Sequence, residues 1–245
     1  MMGFDEPIHA VVIGARGGVG AAFVNAITAD SANNRVWATS RSGNELPNSA
    51  HRAFAVDITN ESSIEALATA VTSDGFQPNL VLNCTGVLAT ESFGPERSWR
   101  HLNIDTMRAV FEVNAFGVGL LGKHLIPLLP RTGRSVFGSL SARVGSISDN
   151  RLGGWHSYRA SKAAQNMLIK GLAIEASMRW KDLVCVALHP GTVNTDLSKP
   201  FSSRVPPEKL FTPQQSCQYL CDTIASLGPK SSGGFYAWDG QAIEY

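Results

Sequence analysis

Apolar positions along this chain alternate between short β-branched runs and longer stretches of helical spacing. Residues 8–13 form an apolar run ending at Gly14, after which Ala21, Ala22, Val24 and Ile27 recur with helical character. The same unit repeats, with strands expected over 36–39 and 53–56, a helix over 64–71 opened by Glu61 and Ser62, and a strand over 80–82 closed by Asn83-Cys84-Thr85-Gly86. A long helix follows over 105–129, its end disturbed by Pro127 and Pro130. The remaining elements are a strand over 136–140, a helix over 158–178, a strand over 183–188 stopped by Pro190, a helix over 213–227 and a last strand over 235–238. This alternation predicts an α/β fold, a doubly wound, mostly parallel sheet with helices on both faces. In such sheets ligands bind beyond the carboxyl ends of the strands.

Composition narrows the class. The 245 residues are 44% hydrophobic and 17% charged, with no Pro/Gly/Ser-rich linker, which fits a single domain over 1–245. A formal charge of +1 supplies no broad attraction for nucleic acid or an anionic membrane, so neither is expected as a partner. Cys84, Cys185, Cys217 and Cys221 are few, and no charged n-region, apolar h-region and cleavage site precede the first strand, which sets the expectation of a reduced, cytoplasmic protein. Cys217 and Cys221 share a helix face but have no His or Cys partner at zinc-site spacing, so no metal is expected. No uninterrupted apolar run reaches the length of a membrane span.

Two clusters carry chemistry. Gly14-Ala15-Arg16-Gly17-Gly18-Val19-Gly20 joins the first strand to the first helix, where glycines let backbone N–H groups and a positive helix end approach a pyrophosphate. Downstream, Tyr158 and Lys162 lie four apart, on one face of a helix. A phenol is a poor acid or base at neutral pH unless a cation stabilises its phenolate, and Lys162 is placed to do that.

The spacing Gly-x-x-x-Gly-x-Gly, with Asn83-Cys84-Thr85-Gly86 and Tyr158-x-x-x-Lys162, resembles the short-chain dehydrogenase/reductase family, whose fold is Rossmann-like. The resemblance covers the whole chain in order, with a cofactor half over about 1–130 and a catalytic and substrate-loop half over about 131–245. It implies that Gly14, Gly18, Val19, Gly20, Asn83 and Gly86 line a dinucleotide, that Asp57 with Ile58 meets the adenine, and that Pro190, Gly191, Val193 and Thr195 close over the cofactor. Asn114 resembles the family's helix asparagine, which anchors a water leading from the lysine to solvent. At the end of the second strand, Thr39-Ser40-Arg41 stands where a carboxylate would select NAD(H); Arg41, helped by Arg16, can instead neutralise a 2′-phosphate, so NADP(H) is expected.

In the implied mechanism Tyr158 gives its proton to a carbonyl oxygen as hydride arrives, Lys162 lowers the phenol's pKa and holds the nicotinamide ribose, and a serine polarises the reacting oxygen. The chain departs from the family at that serine. Counting from Ser135 selects Ser141, with Ser139 and Ser146 as further candidates, whereas anchoring on Arg143-Val144-Gly145 puts Ala142 at the position. The insertion 149–154 lengthens the gap to Tyr158, while the stretch 141–150, the Gly153-Gly154-Trp155 before the tyrosine and Leu210-Phe211-Thr212-Pro213 are most similar to the C-factor and sniffer-like carbonyl-reductase branch. Trp155, His156, Phe93 and the loop 196–210 are the expected pocket walls. The reading that results is an NADPH-dependent reductase of a small, moderately apolar aldehyde or ketone, active as a homodimer or homotetramer. Its alternative is a dinucleotide-binding signalling protein of the C-factor type with little turnover.

Overall fold

The computed structural model describes residues 1–201 and 205–245 with their side chains. Seven parallel strands form one sheet in the order β3-β2-β1-β4-β5-β6-β9: β1 (His9–Ile13), β2 (Arg35–Ser40), β3 (Arg52–Ala55), β4 (Leu80–Asn83), β5 (Ser135–Leu140), β6 (Leu183–His189) and β9 (Phe235–Ala237). The predicted strands are all found, shifted by a residue or two at their ends. Val11, Val81 and Phe137 face one core and Val12, Leu82 and Val136 the other, so β1, β4 and β5 are buried on both faces.

Helices α1 (Gly18–Asp30) and α6 (Pro213–Ser226) cover one face; α2 (Glu61–Ser73), α3 (Ile104–Phe111), α4 (Gly117–Leu125) and α5 (His156–Ala176) cover the other. Local chemistry sets their starts. Asn60 caps α2 by accepting from Ser62 N, and Asn103 caps α3 by accepting from Asp105 N and Thr106 N. Thr212 and Gln215 form a capping box at α6, with Pro213 at its first turn.

The helix expected over 105–129 is not regular. A π turn, Glu112–Phe116, separates α3 from α4, and the end tightens into a 3-10 turn over Ile126–Leu128. Asn114 explains the π turn: its Oδ1 accepts from Val87 N and its Nδ2 donates to Val87 O, each at 2.8 Å, so the side chain engages a neighbouring loop as a strand would. Averaged over a window, Ile104–Leu128 is long and apolar enough to cross a membrane, a looser test than an uninterrupted run; half of it is buried in the core.

Strand order reverses between β1 and β4, and the crevice at their carboxyl ends is the topological switch point of the sheet. One pairing row crosses it: Ile13 beside Asn83, Asn83 beside Ser139, and Ser139 beside Ala187. A small second sheet, absent from the sequence expectation, pairs β7 (Thr192–Val193) with β8 (Leu210–Phe211) and so pins together the ends of the loop between them. Residues 202–204 of the expected pocket loop lie outside the described side chains.

Candidate active site

The glycine loop is shaped by what stands against it. A Cβ on Gly14, whose φ is +78°, would lie 2.9 Å from Thr85 Cγ2, and one on Gly18, at φ +49°, would lie 2.6 Å from Thr195 Cγ2. The loop is therefore enclosed by the turn after β4 and by the segment after β7. Gly17, the residue before α1, has open space where its Cβ would stand and offers no side-chain cap, so the helix N-terminus presents backbone N–H groups to the crevice. Val19 and Gly20 are buried in the first turn of α1. This cradle fits a pyrophosphate.

Flanking it, Arg41 is exposed at the end of β2, and its charge adds to the Thr59 N–H and hydroxyl that hold the Asp57 carboxyl below its usual range. Ile58 is buried where α4 approaches; a Cβ on Gly117 would lie 2.8 Å from Ile58 O. Arg16 reaches the other way, to Glu45 at 2.8 Å, and both side chains are exposed.

Behind the switch point, Asn83 is buried and its side chain is committed to the protein. Its Nδ2 donates to Ser139 Oγ at 2.9 Å, and its Oδ1 accepts from Thr85 N and Thr85 Oγ1. Gly86 sits at a junction: its Cβ position is 3.6 Å from Asn114 Oδ1 and 3.7 Å from both Lys162 Nζ and Leu197 Cδ1. Asn114 also donates to Ser161 Oγ at 3.1 Å, which in turn donates to Tyr158 O. The π turn is thus tied directly to the first turns of α5.

On α5, Tyr158, Lys162, Gln165 and Asn166 share the face turned to β5, and all are buried. Lys162 Nζ lies 5.9 Å from the Tyr158 ring centroid and donates to Leu140 O at 2.9 Å and Gln165 Oε1 at 2.8 Å. Burial raises the Tyr158 pKa above its ordinary value and lowers that of Lys162 to about 7. In the protein alone, burial therefore works against the phenol activation expected of the pair, and Tyr158 stands as a protonated donor. Among the candidate serines, Ser139 accepts from Asn83 and Gln165, Ser141 donates to Asn166 Oδ1 at 2.7 Å, and Ser146 lies against Ser148 and Asp149 N. Tyr158, Lys162 and Asn114 are brought together; the Ser141 hydroxyl is engaged two turns farther along α5.

Gly153, Gly154 and Trp155 are successive left-handed residues before α5, and Trp155, at φ +50°, turns its ring edge-on to Tyr158 at 6.3 Å and within 5.1 Å of Phe201. Glu96, missed in the sequence, secures this corner. It is buried, its carbonyl accepts from Trp155 N, and its carboxylate accepts from Ser157 N and Ser157 Oγ at the helix start. Phe93 is half-buried on the same tethered segment. His156 lines, with Arg159, Ala160 and Ala163 on another flank of α5, a groove of about 230 Å³ against 144–147 and Asn150.

Pro190 and Gly191 are held from below by Ser216 Oγ, which donates to Pro190 O at 2.8 Å. Gly191, at φ +77°, fits closely against Phe211 and Trp238, with its Cβ position 2.5 Å and 3.1 Å away. Val193 is buried in β7, and Thr195 stands over Gly18. Among the described residues no group of three His, Cys, Asp or Glu side chains is placed to hold a metal ion, and the four cysteines are free.

A family profile described as short chain dehydrogenase matches residues 8–206. The chain is 35% identical over 190 residues to the 1-hydroxy-2-glutathionyl-2-methyl-3-butene dehydrogenase of Rhodococcus sp. (strain AD45), covering 78% of each. It is 30% identical over 139 residues to the C-signal of Myxococcus xanthus, covering 57% of this chain and 78% of that one, which bears out the C-factor side of the expected branch. Its fold superposes on the NADPH-bound carbonyl reductase from chicken fatty liver with a TM-score of 0.82 at 25% identity, covering 100% of this chain and 96% of that one. Cradle, tyrosine–lysine pair and these likenesses agree: the chain belongs to the short-chain dehydrogenase family of NAD(P)-dependent oxidoreductases.

Proposed function

We propose that this protein reduces an aldehyde or ketone to the alcohol with NADPH, Tyr158 acting as general acid. The observation that carries the reading is the burial of Tyr158 and Lys162 on one face of α5, with Lys162 Nζ and Asn114 Oδ1 both within 4 Å of the Gly86 Cβ position. Bound at the crevice, the reduced nicotinamide supplies the hydride. The backbone of residues 14–20 and the N-terminus of α1 would hold the pyrophosphate of the dinucleotide, Asp57 and Ile58 would meet its adenine, and residues 190–195 would close over it. Arg41, with no carboxylate in its place, selects the 2′-phosphate. NADPH in the chicken carbonyl reductase supports the cofactor assignment.

A buried phenol kept protonated suits donation to an oxygen that gains negative charge. The Lys162 ammonium then stabilises the phenolate left behind. Trp155 and Phe201 offer an aromatic wall beside Tyr158 and call for a moderately apolar substrate, whereas His156 belongs to the flank groove. A second reading, a nucleotide-binding signalling protein with little turnover, is supported by the C-signal likeness and by the engagement of Ser141 with Asn166.

NADPH consumption with aromatic aldehydes, diketones and quinones, compared between the parent and Tyr158→Phe, separates the two. The reverse reaction on glutathionyl alcohols belongs in the same panel, given what the Rhodococcus relative acts on. Tight NADPH binding without turnover of any compound would sink the enzyme reading. The exposed apolar side chains Phe116, Met167 and Ile174 on α5 and the end of the π turn support a dimer through that face. Sedimentation of the parent against Met167→Glu tests it, and an unchanged monomer would refute it. The free cysteines support a reducing, cytoplasmic location.

A further inference from the structure

One side chain on the catalytic face of α5 has no part in the chemistry proposed above. Gln165 is fully buried, one turn after Lys162. Its Oε1 accepts from Lys162 Nζ at 2.8 Å, while its Nε2 donates to Ser139 Oγ at 3.0 Å and to Leu140 O at 3.1 Å. The amide can face only one way, because a flip would turn its NH₂ on the ammonium and its oxygen on Leu140 O. Ser139 Oγ also accepts from Asn83 Nδ2, and Asn83 Oδ1 accepts from the Thr85 amide and hydroxyl. A continuous buried bridge therefore runs from Lys162 through Gln165, Ser139 and Asn83 to the turn on which Gly14 packs.

We infer that Gln165 is a positioning residue for the catalytic lysine: it fixes where the ammonium stands, favours its charged form, and couples it to the β4 turn beneath the dinucleotide cradle. This rests on the proposed role of Lys162 in the reduction. Burial alone disfavours the ammonium, and only hydrogen bonds to carbonyl oxygens act against it here. Those acceptors are Leu140 O and Gln165 Oε1. From β5, the Gly86 turn and the π turn, Nζ meets the Leu140 carbonyl and stands near Gly86 and Asn114, while Ser139 and Asn83 follow behind Gln165; none of these groups is charged. Among the described residues Tyr158, on the same helix, is the titratable side chain that Nζ approaches, 5.9 Å from its ring centroid. With so few acceptors, loss of one is expected to move the lysine's titration measurably.

Titration of Lys162 by lysine 13Cε NMR in the cofactor-free protein tests this without turnover. Gln165→Met keeps the volume and removes the acceptor; the Lys162 midpoint should fall by about one pH unit or more, the worth of a hydrogen bond to a charged group. Gln165→Glu should raise it, and Ser139→Ala should lower it less than Gln165→Met does. In the active enzyme the basic limb of kcat/KM in the reductive direction should move the same way. An unchanged midpoint in Gln165→Met, or in Gln165→Glu where the Met variant fails to fold, would overturn the inference and leave Gln165 a space-filling partner of Leu140 O. Midpoints that move in a protein that turns over no carbonyl would uphold the bridge and refute the proposed activity instead.

Discussion

Ser141 Oγ donates to Asn166 Oδ1 across 2.7 Å, which commits the expected substrate-polarising hydroxyl to a residue two turns beyond Tyr158 on the same helix. The turn Arg143–Gly145, by contrast, lies on Lys162, since a Cβ on Gly145 would be 2.8 Å from Lys162 Cβ. With Ser141 committed to Asn166, we propose the other register open in the sequence, in which Ala142 holds the family's serine position. Ser141→Ala should cost stability, about 1–2 kcal/mol for an unpaired buried amide, and lower kcat less than about tenfold. Tyr158→Phe should lower kcat by about 100-fold or more. Ala142→Ser should raise it. Steady-state kinetics and thermal melts of the three variants decide; a Ser141→Ala loss as deep as that of Tyr158→Phe would return the role to Ser141.

Arg41 and Arg16 are not equivalent in the structure, although the sequence pairs them. Arg16 already holds Glu45 at the surface, an exposed pair worth about 0–1 kcal/mol, whereas Arg41 stands beside Asp57 at the end of β2. Arg41→Ala should therefore weaken NADPH binding by about 10- to 100-fold and leave NADH within a few-fold, while Arg16→Ala changes either little. Fluorescence titration of both nucleotides measures this. Equal weakening of NADH would mean that Arg41 supports the loop and does not select the phosphate.

Elements built on short-range periodicity were legible in the sequence. Every strand of the main sheet contains a short apolar run or an apolar–aromatic pair, and the two-sided burial of β1 and β4 is what the unbroken runs 10–13 and 80–82 report. The π turn was not, because its cause is Asn114 bonding to Val87, twenty-seven residues upstream, and no local pattern announces that partner. β7 and β8, two residues each, are too short to show a period. In the site, the glycines and the Tyr158–Lys162 spacing were legible because their chemistry needs fixed neighbours in sequence. Glu96 and Gln165 were not: Glu96 reaches α5 from sixty-one residues away, and a glutamine three after the lysine gains meaning only when Ser139 and Leu140 O are known to face it.

Arg134 ties three parts of the chain at the opposite end of the sheet. Its guanidinium donates to Met2 O at 3.1 Å, Leu227 O at 2.9 Å and Ile224 O at 2.6 Å, the last two at the C-terminus of α6, where a cation also meets the negative end of the helix dipole. Partial burial lowers its pKa without discharging it. Arg134→Ala should destabilise the protein by about 2–3 kcal/mol, through charged hydrogen bonds lost and carbonyls left unpaired, with kcat of the folded enzyme unchanged. Urea unfolding measures the loss. A loss below about 0.5 kcal/mol, as for an ordinary surface position, would show the contacts to be incidental.

Burial of Lys162 also makes the stability of the fold depend on pH. Its folded-state pKa is about 7, below the roughly 10.4 of an exposed lysine. Below pH 7 native and unfolded chains both carry the proton, and the native state bears the full cost of a buried ammonium. Between about pH 7 and 10.4 the unfolded chain holds a proton that the native state has released, so stability rises with pH, and above that window the cost is gone. Tyr158, whose pKa is raised, acts only above about pH 10 and in the opposite sense. In Lys162→Met the hydrogen bonds to Leu140 O and Gln165 are lost at every pH, but the burial cost disappears only where it existed. The difference in Tm, variant minus parent, should therefore be most positive near pH 6 and decline steadily towards pH 9. Parallel Tm curves across that range would mean that the ammonium is solvated in the folded protein and that its burial carries no cost.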